Sequence, residues 1–282
     1  MKRFLITSFT ALMLLALDAT AQNNAAARPP APAAPAQPVP RRPDGRPYLG
    51  PMPNGKGLWN YPMGAQLSGE DQIPTNPAVP GDTINRPTLD EVPFQPWARA
   101  MYDYRVKSRL EPYTRCKPSA GARMPGTAYG TQIIEFPELQ RVYVYQTGGS
   151  HSYRTIYTDG RPHPANLTPS YYGHAVGHWD GDALVVDSVG FNERMWIEDL
   201  GMPHTDRLHL TERITRVSLE WIRWEFTIDD PGAYTRPWST GYYFKLNPNV
   251  ESFEFVCQDN NKAFELMLGT ETDVDRGLLY VP

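Results

Sequence analysis

The stretch Gly173-His-Ala-Val-Gly-His-Trp-Asp-Gly-Asp-Ala-Leu-Val-Val-Asp-Ser-Val189 decides the fold. Its halves, Gly173–Trp179 and Ala183–Val189, are short and rich in β-branched and aromatic residues. Asp180-Gly181 between them is a strong signal for a two-residue hairpin loop. Working upstream, Thr131–Phe136, Arg141–Gln146 and Ser152–Thr158 have the same character. Turn chemistry parts them at Pro137-Glu138, Gly148-Gly149 and Asp159-Gly160. Downstream come Leu208–Arg216, Leu219–Ile228, Ser239–Leu246 and Ser252–Gln258. About nine strands with mostly short connections predict antiparallel neighbours. The expected fold is therefore mostly β, an antiparallel up-and-down barrel of about 8–9 strands, with a two-sheet sandwich as the alternative.

Strand alternation gives each strand two unlike faces. In Leu208–Arg216 one face carries Leu208, Leu210, Glu212 and Ile214, and the other His209, Thr211, Arg213 and Thr215. In Trp221–Ile228 the faces are Ile222, Trp224, Phe226 and Ile228 against Trp221, Arg223, Glu225 and Thr227. Polar faces outward is the expected arrangement, and a polar-lined interior is the alternative. One N-terminal helix is expected over Asp90–Leu110, with Trp97, Met101, Tyr104 and Val106 on its stripe and Pro112 beyond its end. Residues 47–91 read as a segment wrapping the domain, and 259–282 as a short helix and tail.

At the N-terminus, Lys2 and Arg3 precede an apolar run from Phe4 to Leu17, and Ala19-Thr20-Ala21 follows. That order predicts a secretory signal peptide over 1–21. An Ala/Pro/Arg-rich disordered leader is expected over 22–46 and a single β domain over 47–282. The protein is thus expected in the periplasm or outside the cell, with no membrane contact after cleavage. A net charge of −4 and the lack of a basic stripe exclude a nucleic-acid partner. Cys116 and Cys257 are the only cysteines. In an exported chain such a pair predicts a disulfide.

All six histidines fall between residues 151 and 209. His174 and His178 share a strand face, but four residues on a strand span about 13 Å, too far for one ion. No metal ligand and no cofactor are therefore assigned. The long connection Phe191–Asp206 is a better candidate, because such loops in compact domains are often functional. Imidazole beside carboxylate supports acid–base catalysis. His204 and His209 are the expected proton-transfer groups, Asp206 orients one of them, and Asn192 polarises an oxygen. Tyr172, His174, Trp196 and Arg213 are expected to shape the substrate pocket. The function expected is an enzyme acting on a small organic molecule, glycoside or phenolic in type, by metal-free lyase, isomerase, hydratase or hydrolase chemistry. The alternatives are a non-catalytic ligand-binding or carrier barrel and a metal-binding protein. The partner expected in either of the first two cases is a small molecule.

Four runs carry a resemblance. They are Gly177-His-Trp-Asp-Gly-Asp-Ala-Leu-Val-Val-Asp-Ser-Val-Gly-Phe-Asn192, Pro203-His-Thr-Asp-Arg-Leu-His-Leu-Thr-Glu-Arg213, Phe226-Thr-Ile-Asp-Asp-Pro-Gly-Ala-Tyr-Thr-Arg-Pro-Trp238 and Phe255-Val-Cys-Gln-Asp-Asn-Asn261. From about Cys116 to Asn261 the chain resembles a widespread family of exported bacterial proteins of unknown function. The resemblance implies a shared barrel, calycin-like in kind, and it includes His204, Asp206 and His209 in its motif. It implies no activity.

Overall fold

Asp180 pairs with Ala183 across the central hairpin, so its two loop residues are Gly181 and Asp182, one position later than the dipeptide signal. Gly181 takes φ +59°, which a glycine at the first loop position of a II′-type hairpin supplies without strain. In the computed structural model, residues 37–51, 56–60, 66–69, 82–109, 111–148 and 153–266 are described. The expected signal peptide and the leader up to residue 36 lie outside them.

Nine strands form a closed barrel in sequence order. They are β1 (Leu58–Asn60), β2 (Thr131–Phe136), β3 (Arg141–Gln146), β4 (Tyr153–Tyr157), β5 (His174–Asp180), β6 (Ala183–Val189), β7 (His209–Arg216), β8 (Trp221–Asp229) and β9 (Trp238–Asn247). All neighbours are antiparallel except β4 and β5, which run parallel through Ile156↔Ala175 and Tyr157↔Val176. A parallel pair needs a long crossover, and residues 158–173 supply it. The barrel closes where Leu58, Trp59 and Asn60 pair with Asn247, Leu246 and Lys245. That three-residue strand, inside the turn-rich 47–91 segment, is too short to leave a sequence pattern. The expected strand Ser252–Gln258 is not one. A closed barrel offers no free edge to pair with, and the segment is instead fastened by the Cys116–Cys257 disulfide.

The polar faces do point outward. Leu210, Glu212 and Ile214 of β7 and Ile222, Trp224, Phe226 and Ile228 of β8 are buried, whereas Arg213 is exposed and Thr211 and Thr215 are half-buried. Trp224, Phe226, Tyr242 and Phe244 pack edge-to-face or stacked inside the barrel, with centroid separations of 5.7–6.2 Å. Full burial of each aromatic or branched side chain contributes about 1.5–3 kcal/mol. Glu212 is one of the few charged groups on the inner face, with Arg154 and Arg216. Arg154 of β4 grips it with both terminal nitrogens and also reaches Ser188 at 2.7 Å, while the Trp224 indole donates to Glu212 Oε1 at 3.1 Å. Removing one partner of such a dry pair costs about 3–5 kcal/mol.

The helix α1 spans Pro96–Ser108. Its buried stripe is Ala98, Tyr102 and Arg105, not the expected one, and Trp97 and Tyr104 are 46% and 42% exposed. The Trp97 indole instead donates sideways to the Gly232 carbonyl at 2.9 Å. A last short helix, α2, covers Ala263–Leu266. Residues 37–46, assigned by composition to the leader, lie on the barrel: Arg41 pairs with Asp182 and Arg42 with Glu135, and the Leu219 amide donates to the Gln37 carbonyl.

Candidate functional site

The connection from β6 to β7 crosses one end of the barrel and has a wet side and a dry side. On the wet side are half-buried Asn192 and exposed Glu193, Arg194 and Asp206. Asn192 Oδ1 accepts the Arg194 amide at 3.1 Å, which turns the chain outward. These residues line a cleft of about 600 Å³. Tyr171 and Phe191 give it aromatic lining, and Arg115 and Lys117 line it as well. The segment carrying Arg115 and Lys117 is tied down: Cys116 is bonded to Cys257, and Asn261 Nδ2 donates to the Thr114 carbonyl at 2.9 Å. Three cations and two carboxylates therefore share one concavity with two aromatic rings.

On the dry side Met195, Trp196, Ile197, Glu198, Met202 and His204 are buried. Arg105 of α1 lies over the Trp196 ring at 4.9 Å and donates to the Gly201 carbonyl. Tyr234 donates to the Pro203 carbonyl at 2.9 Å. Burial pushes the Glu198 carboxyl up to about 8, and the charge of Asp199 adds to this against the Leu67 amide that donates to Glu198 Oε2. Burial also holds His204 below its ordinary value, opposed by the Thr205 carbonyl that its Nδ1 meets at 3.0 Å. Trp196 Nε1, Glu198 Oε1 and Asp199 Oδ1 have no hydrogen-bond partner among the described residues, a costly state for buried polar atoms. The dry side is thus a polar region holding a neutral acid and a neutral imidazole.

The other described histidines, His163, His174, His178 and His209, lie on the outer wall of the barrel. Asp187, pointing outward from β6, accepts from His163 Nε2 at 2.7 Å and from His209 Nε2 at 2.6 Å. Burial alone would raise the Asp187 carboxyl, but the hydrogen bonds from His209 and His163 hold it below the ordinary range. His163 Nδ1 lies 2.8 Å from His174 Nδ1, and the His174 ring stacks on Tyr157.

The expected catalytic set is therefore not assembled. His204 is inside, His209 is on the outer wall, and Asp206 and Asn192 are on the cleft. Asp206 makes no described hydrogen bond to either imidazole; the carboxylate of His209 is Asp187. Sequence proximity of Asp206 misled because His209 is outward-facing while the chain turns between them. Of the expected pocket residues, Trp196 is buried beneath Arg105, Tyr172 is half-buried beside the core, His174 belongs to the outer wall, and Arg213 pairs with Asp180 at 2.8 Å on the barrel surface. Sequence reasoning passed over Asp187 and, within the connection it singled out, gave Glu198 no role. The signal for Asp187 was an acid on the outward face of an otherwise apolar strand. Glu198 gave none, since burial inside a polar loop leaves no periodicity.

A closed nine-stranded mixed barrel with a charged cleft at one end is the class this architecture defines. No protein-family model matches the chain, and no curated protein or solved structure matches it either. Among the described residues no helix is long and apolar enough to cross a membrane, and no group of three or more His, Cys, Asp or Glu is placed to hold a metal ion.

Proposed function

We propose that this is an exported protein that binds a small organic anion in the cleft at the end of the barrel. The basic, apolar and small-residue order of the N-terminus and the disulfide support export. The observation that carries the binding reading is the convergence of Arg115, Lys117 and Arg194 with Tyr171 and Phe191 around one concavity of about 600 Å³. That volume suits a small ligand. The cations suit a carboxylate or phosphate, the rings suit an aromatic or sugar face, and Asn192, Glu193 and Asp206 suit hydroxyl groups. The described lining contains no imidazole, so neither His204 nor His209 stands in the cleft to act on what it binds.

The test is titration calorimetry with hydroxylated aromatic and sugar carboxylates and their neutral amides. The carboxylates are expected to bind and the amides to fail, and a Lys117→Ala/Arg194→Ala variant is expected to lose binding without losing fold. Equal binding of acid and amide, or full binding by the double variant, overturns the reading.

A second reading, an acid–base enzyme for the same class of molecule, has one observation in its favour. Glu198, neutral up to about pH 8, and neutral His204 lie on the dry face of the connection whose wet face lines the cleft. A neutral carboxylic acid can donate a proton and a neutral imidazole can accept one. Mass analysis of a bound ligand after incubation separates the readings. Chemical change that Glu198→Gln abolishes, with binding retained, favours the enzyme.

A further inference from the structure

On the outer wall, away from both faces of the β6–β7 connection, two imidazoles meet head-on. His163 comes from the irregular crossover 158–173, and His174 is the first residue of β5. Their Nδ1 atoms are 2.8 Å apart.

Asp187 settles where the protons sit. An ionised carboxylate only accepts, so the Nε2 atoms of both His163 and His209 must donate to it. A neutral His163 with its proton on Nε2 keeps a lone pair on Nδ1, aimed at His174. This carboxylate–imidazole arrangement is the one that orients metal-ligating histidines. His174 is fixed in turn by the Tyr157 ring, stacked at 5.2 Å and 20°. With its proton on Nδ1, His174 donates to His163. In its other neutral tautomer, with the proton on Nε2, both Nδ1 lone pairs face the space between the rings, and a small turn of the rings lets one ion take both with no net proton leaving.

We propose that His163 and His174 form a binding site for a borderline divalent transition metal, Cu²⁺ ahead of Zn²⁺, with Asp187 as the positioning residue and solvent completing the coordination. Imidazole nitrogens suit copper, nickel and zinc rather than magnesium or calcium, and copper heads the affinity order. Geometry points the same way. Two nitrogens about 2.0 Å from a square-planar ion and at right angles lie about 2.8 Å apart, whereas a tetrahedral ion needs about 3.3 Å. The 2.8 Å hydrogen-bond spacing of the pair is already close to the former, so an ion that replaces the shared proton needs little movement of either ring. The charges facing the site come from Asp187 and Arg161. Arg161 is tied to Asp159 through its Nε at 2.9 and 3.0 Å, which offsets its positive charge. Two protein ligands suffice for this site, so it stands apart from any cluster of three.

Copper titration of the full chain, read by calorimetry and by electron paramagnetic resonance, tests this. One Cu²⁺ per chain with two coordinated imidazoles is expected. His163→Ala and His174→Ala each abolish that signature, while His178→Ala, exposed on the same strand, leaves it intact. Asp187→Ala weakens binding by about tenfold or more. His163→Gln serves where the alanine variant melts early, and carboxylate binding in the cleft stays unchanged throughout. Undiminished affinity in the His163→Ala/His174→Ala variant, or a spectrum without imidazole nitrogen, overturns the proposal.

Discussion

Glu198 holds its proton to about pH 8 in the folded protein because burial and Asp199 both oppose its charge. The unfolded chain releases that proton near 4.5, the ordinary glutamate value. Between those two values the folded state binds more protons, so the stability Glu198 contributes is complete below the window and is lost as pH rises through it. Glu198→Gln should remove this dependence. Denaturation at pH 5 and pH 8 should show the wild type losing stability relative to the variant between the two, and parallel losses would place the carboxyl in water. At this scale the sequence was least legible. It marked the loop holding Trp196, Glu198, His204 and Asp206 as functional, but which of them face the interior depends on how the loop lies against α1. Alternation along a strand did better: it put His209, Arg213 and Thr211 on one outward face, where they are.

Eight of the nine strands were legible, with boundaries of β2, β3 and β6 as expected and those of β4, β5, β7, β8 and β9 within two residues; β1 was missed, Ser252–Gln258 was not a strand, and α1 starts six residues later than expected. Hairpin chemistry and strand alternation are local signals, and they survive folding. The direction of β5 was not legible, because it depends on where the crossover lands rather than on the strand. The crossover ends at Gly173, φ +63°, where an added Cβ would lie 2.5 Å from the Val189 carbonyl oxygen. Gly173→Ala should therefore cost about 1–3 kcal/mol through backbone strain and displacement of that contact. Hydrogen exchange should show lost protection at the start of β5, with β8 and β9 unaffected. Wild-type protection at His174 would show that the turn absorbs the methyl group.

For the whole molecule, the disulfide is the long tie. It joins residues separated by 141 positions and fastens the segment after β9 to the stretch that carries Arg115 and Lys117 of the cleft. Cys116→Ser/Cys257→Ser should lower stability by about 2–5 kcal/mol in denaturant titrations. The same variant should bind the cleft ligand more weakly, because the cationic stretch loses its tie. Unchanged stability would mean that packing alone holds the segment.

The short strand β1 has a consequence for how the chain reaches this shape. It can pair with β2 and β9 at the same time only when the ribbon between them is complete, so closing the ring requires every other strand to be in place. Non-local pairing of this kind slows folding. Until it happens, the flanks of β2 and β9 are bare templates for intermolecular sheet growth. The kinetic hazard of this protein is therefore concentrated in three residues, Leu58, Trp59 and Asn60, whose arrival turns a sticky open ribbon into a ring with nothing left to pair.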